Sequence, residues 1–254
     1  MIDRILSGGP EGTDPGAGGV APGQKTLFGT PRVWYFARMI LSRGRRYLFV
    51  HIPKTGGTAL SLALEARAMK DDILVGDTPK ANRRRGRLKD LRPKGPLWKH
   101  STLADLDGLV TPSELDALFV FTLVRNPWDR MVSYYHWLRD QTFAHPHIDL
   151  ARRLDFRAFL YDDAISDAFA ADSYARYVTD ARGRERCDAF VRLEHLESDL
   201  APVEAHLGFR LDGVPHVNAS RRKAGHAEYY DSDLARHVET LCRHDSERFG
   251  YTFR

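Results

Sequence analysis

The sequence has few cysteines and no long apolar run. Only two cysteines occur among 254 residues, Cys187 and Cys242, so no disulfide framework is available and a reducing compartment is expected. No stretch approaches the ~18 consecutive apolar residues of a membrane span, and no charged-then-apolar leader opens the chain. These absences argue against a disulfide-stapled secreted domain and a membrane-spanning protein. They predict a soluble cytoplasmic protein.

Neither sign of charge dominates, and candidate metal ligands are sparse. Lys and Arg total 38 against 34 for Asp and Glu, a mildly basic balance that suits an anionic ligand but is too weak to indicate nucleic acid. His145-Pro-His147 has a proline between its histidines and no third ligand nearby, so a loop is favoured over a metal site. We predict no metal and no nucleic-acid partner.

Length and composition favour one large globular domain. The hydrophobic content of 43% and the charged content of 28% are ordinary for a soluble protein of this size. Gly and Pro are frequent up to about residue 30 and periodic apolar residues are scarce there, so residues 1–38 are predicted to be a disordered extension. The domain is then 39–254, and Met39 is itself a candidate start.

The stretch Tyr47–Leu60 combines a strand, a glycine turn and a helix start. An apolar run over Tyr47–Val50 predicts a buried strand, Gly56-Gly57 predicts a tight turn, and a run of helix formers follows. That order directs backbone N–H groups and a helix N-terminus at one point, which favours an anion, and Lys54 adds a full positive charge. The lysine precedes both glycines, unlike the GxxxxGK[ST] nucleotide loop.

The string His51-Ile-Pro-Lys-Thr-Gly-Gly-Thr58 resembles the 5′-phosphosulfate loop of the PAPS-dependent sulfotransferases. PAPS is 3′-phosphoadenosine 5′-phosphosulfate, and the resemblance is to the carbohydrate or Golgi-type branch, family 2-like, with its bacterial relatives. It implies a single P-loop-like domain that uses PAPS and no metal. The implied cofactor-binding residues of this loop are Lys54, Thr55, Gly56, Gly57, Thr58 and Ala59. Lys54 is also the implied catalytic cation.

A second strand leads into a second motif. Leu118–Val124 is an apolar run with one polar residue, and Asn126 and Pro127 then provide a helix cap and a first helical residue. Apolar residues at helical spacing predict a core-facing stripe on that helix. Arg125 and Ser133 resemble the family's 3′-phosphate motif, which implies that they bind the 3′-phosphate of the cofactor. A guanidinium suits phosphate because its planar fork matches the oxygens.

Three further assignments are implied by the same resemblance. His100 corresponds to the general base of the hexuronic-acid sulfotransferases, and a structural histidine is the alternative. Arg221 and Lys223 correspond to basic residues of a late loop that contacts the 3′-phosphate, against the alternative of solvated charges. Glu194 follows a third predicted strand, Ala189–Leu193, and is predicted to be structural.

The segment 80–99 carries nine Lys and Arg residues and one acid, Asp90. Prolines and glycines keep it irregular. It is either a solvated loop or a rim that attracts PAPS or an acidic acceptor through its field. Aromatic residues interleaved for base stacking are missing, which disfavours nucleic acid.

We therefore expect one α/β domain with a mostly parallel sheet flanked by helices and a ligand at the strand ends. The expected reaction moves a sulfuryl group from PAPS to an acceptor hydroxyl and releases 3′,5′-ADP. The acceptor is a glycan, a lipid headgroup or a small metabolite, and an acidic one suits the basic run. A P-loop-like nucleotide kinase and a non-catalytic nucleotide-binding module are the alternatives.

Overall fold

The computed structural model describes residues 39–211 and 225–253. Residues 1–38 lie outside them, as do Arg221 and Lys223. The predictions of a disordered extension and of two late cofactor contacts therefore stay predictions.

Five strands form one mixed sheet in the order β3–β1–β2–β4–β5. The strands are β1 (Met39–Ser42), β2 (Tyr47–Val50), β3 (Ile73–Val75), β4 (Phe119–Val124) and β5 (Ala189–Arg192). β2, β4 and β5 are parallel neighbours, whereas β1 runs antiparallel to β2 and β3. The predicted α/β class is confirmed, and the parallel half of the sheet carries both predicted cofactor motifs.

Helices of the described residues flank this sheet. They are α1 (Gly57–Ala66), α2 (Pro79–Arg84), α3 (Pro112–Ala117), α4 (Pro127–Arg139), α5 (Pro146–Arg153), α6 (Phe156–Tyr161), α7 (Asp163–Ala170), α8 (Tyr174–Tyr177), α9 (Leu196–Asp199), α10 (Ala201–Leu207), α11 (Ser232–Leu241) and α12 (Arg243–Phe249). Short 3₁₀ turns occupy Arg85–Leu88, Ala104–Leu106, Leu193–His195 and His226–Tyr229.

The central strands are apolar throughout because both faces of the sheet are covered. Successive side chains of a strand point to opposite faces. Val50 packs in one apolar cluster with Tyr177 of α8, while Phe49 packs with Phe121 and with Leu60 of α1 in another. Burial on both sides explains why the strands read as continuous apolar runs.

The parallel register brings three strand ends to one edge. Val50 pairs with Thr122, whose hydroxyl donates to the Val50 carbonyl at 2.7 Å, and Val124 pairs with Arg192. Because these neighbours run the same way, the loops after β2, β4 and β5 leave from the same side. The loop with Lys54 and the residue Arg125 therefore start close together.

Helix α4 begins as its sequence predicts. The Asn126 side chain accepts hydrogen bonds from the backbone N–H groups of Trp128 and Asp129, at 3.0 and 3.4 Å, and Pro127 takes the first helical position. The predicted stripe is buried in the core, and its members are Trp128, Met131, Val132, Tyr135 and Leu138.

Residues 39–211 and 225–253 contain neither a membrane-spanning helix nor a metal-binding cluster. No helix there is both long enough and apolar enough to cross a membrane. In the same ranges, no three His, Cys, Asp or Glu side chains are grouped so as to hold a metal ion. Cys187 and Cys242 are free thiols.

Candidate active site

The loop between β2 and α1 is a tight turn with two left-handed residues. Lys54 has a φ of 66° and Gly56 a φ of 85°. The Thr55 hydroxyl donates to the Ile52 carbonyl at 2.9 Å and closes the turn from inside. This hydroxyl hydrogen is therefore used within the loop, so a bound phosphate would meet the backbone N–H of Thr55 and not its side chain.

At both glycines of the loop, a Cβ atom would collide with a neighbouring side chain. A Cβ on Gly56 would lie 2.7 Å from a methyl group of Leu193, in addition to the positive φ. A Cβ on Gly57 would lie 2.0 Å from Cδ2 of His51. The histidine ring thus rests directly on the first residue of α1, where only a glycine fits.

Helix α1 presents an open N-terminus to this loop. Its N-cap residue is Gly56, which has no side chain to cap it, and its first turn carries no acidic residue. The first backbone N–H groups of a helix have no partner within the helix, and they carry partial positive charge. Together with Lys54 and the Thr58 side chain beside them, they form a setting suited to an anionic oxygen.

Lys54 is half-buried and weakly basic for a lysine. Desolvation, and after it the charge of Arg125, lower its pKa from 10.5 to about 7, although Asp140 opposes the shift. Its Nζ lies 5.4 Å from the ring centre of Trp137 in α4, a cation–π distance. An anion bound in the loop would replace the lost hydration of this ammonium group.

Two arginines from the second motif hold the loop by its carbonyl groups. Arg125 donates from Nη1 to the Lys54 carbonyl at 3.1 Å, and Arg130 donates from Nε to the Pro53 carbonyl at 3.1 Å. Arg130 is itself buried and paired with Asp172 at 2.6 Å. The conformation of this loop is therefore fixed by residues more than seventy positions further along the chain.

Two of the five N–H groups of Arg125 form no hydrogen bond with another described residue. Its Nε and Nη2 both contact the Asp129 carboxylate, at 2.7 and 2.6 Å. A guanidinium has five N–H groups, so three are used here and one remains on each terminal nitrogen. Ser133 lies further along α4 and is buried, and its hydroxyl forms no hydrogen bond within the described residues. Both side chains retain capacity for a phosphate.

His100 contacts His51 and not the solvent. The two Nδ1 atoms are 2.8 Å apart, the rings are stacked with centroids at 4.6 Å, and both residues are at least nine-tenths buried. Burial lowers the pKa of each imidazole well below 6.5, and the charges of Lys99 and Lys54 act in the same direction on both. Both rings are therefore neutral at physiological pH.

Lys99 belongs to the site, although its sequence position suggests membership of the basic run. Its side chain is 14% exposed, and its Nζ lies 3.9 Å from Asp77. Burial lowers its pKa. Its charge acts on Lys54 and on both histidines. The adjacent His100 is the signal in the sequence that could have identified it.

Most of the predicted site residues of the described chain meet at this edge of the sheet. Lys54, Gly56 and Gly57 form the loop, and Arg125 is bonded to it. His100 reaches the loop through His51, which rests on Gly57. Thr55, Thr58 and Ala59 are the remaining members of the loop and first helical turn. Sequence reasoning missed Arg130 and Lys99.

No protein-family model matches the chain, and no curated protein matches it either. Among solved structures, the chain is similar to mouse sulfotransferase SULT7A1 complexed with PAP. The identity is 18% over 79% of this chain and 82% of that chain, with a TM-score of 0.49. The function is therefore inferred from the residues and geometry of the site alone.

Proposed function

We propose that the protein transfers a sulfuryl group from PAPS to an acceptor hydroxyl and releases 3′,5′-ADP. One observation carries the proposal: Lys54, Arg125 and a neutral histidine pair meet where the parallel strands β2 and β4 end. Anionic ligands of open α/β sheets bind at such strand ends. The resemblance of both cofactor motifs to those of the sulfotransferases supports the choice of PAPS.

The donor would bind through its two phosphate groups. The N–H groups from Thr55 to Thr58 would hold the 5′-phosphate, and the unused N–H groups of Arg125, with the Ser133 hydroxyl, would hold the 3′-phosphate. Lys54 stands between these elements, next to the expected phosphosulfate bridge. These contacts all come from described residues, and Arg221 and Lys223 are proposed to add to the 3′-phosphate site.

The transfer forms one bond to sulfur and breaks another. The acceptor oxygen attacks the sulfur, and the bond between sulfur and the bridging oxygen breaks with its electron pair left on the 5′-phosphate. The charge of Lys54 stabilises that developing negative charge. The acceptor proton moves to His100, which is neutral and so able to take it. Alignment and charge stabilisation supply the catalysis, as in phosphoryl transfer.

The class of acceptor and the cellular compartment are proposed from the motif resemblance and from the free thiols, and not from the geometry of the site. Resemblance to the carbohydrate branch favours a hydroxyl of a glycan, and a lipid headgroup or a metabolite hydroxyl is the alternative. The free thiols Cys187 and Cys242 suit the reducing conditions of the cytoplasm.

The direct test incubates the protein and PAPS with cell extract and searches by mass spectrometry for a sulfate-sized gain on an acceptor. Lys54→Ala should lower kcat sharply while weakening 3′,5′-ADP binding only moderately. His100→Ala should lower kcat by ~10²–10⁴ and leave nucleotide binding largely intact. Tight 3′,5′-ADP binding with no transfer to any acceptor would instead indicate a binding module, and magnesium-dependent ATP turnover a kinase.

A further inference from the structure

His51 and His100 share one hydrogen bond in a way that determines their tautomers. The Nδ1 atoms of the two rings are 2.8 Å apart, and His100 Nδ1 is also 3.0 Å from the His51 carbonyl oxygen. A hydrogen bond between two ring nitrogens contains one proton, and a carbonyl oxygen can only accept. A proton on His100 Nδ1 satisfies both contacts, whereas a proton on His51 Nδ1 leaves the carbonyl contact without a donor.

This arrangement assigns a different role to each Nε2 atom. His100, protonated at Nδ1, has an Nε2 with a free lone pair, which is the form that a general base requires. His51, accepting at Nδ1, must carry its proton on Nε2 and is a donor there. No described residue forms a hydrogen bond with either Nε2 atom, although both rings are buried. The His51 Nε2–H is therefore available to donate to an oxygen of a ligand.

The His51 ring lies against the anion-binding end of α1. A Cβ on Gly57 would be 2.6 Å from His51 Nε2, so this nitrogen is next to the backbone that starts the helix. The same backbone and Lys54 form the loop that is proposed to hold the 5′-phosphate. An anionic oxygen bound in this loop would therefore lie near the N–H donor of His51.

We propose that His51 is a positioning residue that links the phosphate loop to the base. Its Nε2–H donates to an oxygen of the bound phosphosulfate, and its Nδ1 and carbonyl hold the proton of His100 on Nδ1. Binding of the donor substrate thereby reinforces the tautomer of His100 that accepts the proton of the acceptor hydroxyl. This link rests on the proposed function for its substrate, while the tautomers are a property of the protein alone.

The charges around the pair support a neutral pair in the absence of ligand. Lys54 and Lys99 face both rings, with Asp140 acting on Lys54 and Asp77 on Lys99. Burial and the two lysines keep both imidazoles neutral, so each ring carries one proton, His100 on Nδ1 and His51 on Nε2. An anionic donor offsets the cations and makes His100 a stronger base when catalysis needs it.

The tautomers can be measured without any substrate. In ¹⁵N-labelled protein, ring-nitrogen chemical shifts and two-bond couplings distinguish protonated from unprotonated nitrogens. We expect His100 to be protonated at Nδ1 only and His51 at Nε2 only, and we expect the His51 Nε2 signal to shift on addition of 3′,5′-ADP. The reverse tautomers, or a His51 signal that ignores a bound nucleotide, would overturn the inference.

Two conservative variants separate the two nitrogens of His51. The amide of His51→Asn can stand near Nδ1 and accept from His100, but it cannot reach the loop. That of His51→Gln can stand near Nε2. His51→Asn should therefore keep the wild-type pH–rate profile and weaken 3′,5′-ADP binding about tenfold, as loss of one hydrogen bond to a charged group implies. His51→Gln should keep the affinity and alter the pH profile.

A matched control is His147→Asn, which removes another buried histidine that hydrogen-bonds Tyr134 at 3.1 Å outside the site. It should change the melting temperature but neither the nucleotide affinity nor the pH profile. If both His51 variants behave like this control, His51 has only a structural role. If the tautomers are as expected but no nucleotide binds and no transfer occurs, the proposed function fails while the histidine arrangement stands.

Discussion

Lys54 combines an unusual backbone conformation with an unusually low pKa. A left-handed φ of 66° in a residue with a Cβ costs on the order of 1–3 kcal/mol, and such strain is common at functional sites. The hydrogen bonds from Arg125 to its carbonyl and from Arg130 to the preceding carbonyl hold the turn in place. The side chain then extends into a poorly hydrated position where its pKa is about 7.

This lowered pKa predicts that nucleotide binding depends on pH. Below pH 7, Lys54 is already protonated in the free protein, and its contribution to affinity is constant. Above pH 7, the free lysine is neutral, and an anionic ligand must draw a proton onto it. The affinity for 3′,5′-ADP should therefore fall by up to about tenfold per pH unit above 7, until the pKa of the complex is reached. Calorimetry between pH 6 and 9 in buffers of different ionisation enthalpy would measure the proton uptake.

The control is Lys54→Met, which keeps the length of the side chain and removes its titration. Binding to this variant should be weaker at pH 6 and nearly independent of pH from 7 to 9. A wild-type affinity that is flat across this range, with no proton uptake, would show that Lys54 does not meet the anion.

At the scale of single residues, the sequence indicates the side chains expected to act on the ligand. It does not indicate the side chains that fix their positions and change their pKa values. Lys54, Arg125 and His100 stand in recognisable local patterns. Arg130 acts on the Pro53 carbonyl, 77 positions away, and only the packing of α4 against the loop creates that contact. In the sequence, Lys99 belongs to the basic run, and its burial beside the histidines is a tertiary property that no local pattern reveals.

Among the secondary-structure elements, the join between β2 and α1 depends on close packing at Gly57. The Gly57→Ala change places a methyl group 2.0 Å from His51 Cδ2, so either the ring or the start of α1 must move. We expect loss of most 3′,5′-ADP binding and a change in the ring signals of His51 and His100. Gly86→Ala is the matched control, because a Cβ there has no neighbour within 4 Å and the φ is ordinary.

Gly86→Ala should stay within about 0.5 kcal/mol of the wild-type free energy of unfolding and bind the nucleotide normally. Calorimetry and denaturant unfolding on the two variants provide the comparison. Equal nucleotide affinity of Gly57→Ala and the wild type would show that the loop tolerates a displaced His51 ring, and it would separate the histidine from the anion site.

The strands show what a local pattern can and cannot predict. β2 and β4 are apolar runs bounded by turn signals, and β5 was recognised in the same way. β1 pairs antiparallel with β2, and β3 pairs antiparallel with β1. The direction in which strands pair is a tertiary property that an apolar run does not reveal, so the mixed character of the sheet could not be predicted from the sequence.

At the scale of the whole molecule, hydrogen bonds and ion pairs fix several side chains of the basic run 80–99, although its composition suggests a solvated loop. Arg84 donates to the Met69 carbonyl at 2.8 Å, Arg87 donates to the Lys70 carbonyl, and Lys94 pairs with Asp107 at 2.7 Å. The two arginines therefore fix the segment that follows α1. The side chains of Arg83 and Lys89 are exposed, and neither forms an ion pair or a hydrogen bond with another described residue.

This division predicts two kinds of variant. If the run attracts an acidic acceptor, Arg83→Ala with Lys89→Ala should raise the KM for the acceptor about two- to fivefold and flatten its salt dependence, with little effect on 3′,5′-ADP binding. Arg84→Ala should instead lower the melting temperature, because it removes a carbonyl partner. Steady-state kinetics at several salt concentrations test the first effect. An unchanged KM in the double variant would leave the run as a solvated surface.

Calorimetric titration with 3′,5′-ADP and with 5′-AMP tests the central claim most directly, because the claim depends on one site that reads both phosphates of the cofactor. The 3′-phosphate should meet the two unused N–H groups of Arg125 and the Ser133 hydroxyl. One charge-assisted contact of this kind contributes ~1.5–3 kcal/mol, so 3′,5′-ADP should bind at least about tenfold more tightly than 5′-AMP. The difference should shrink in Arg125→Lys, which keeps the charge and loses the planar fork. Equal affinities of the wild-type protein for the two nucleotides would contradict the account.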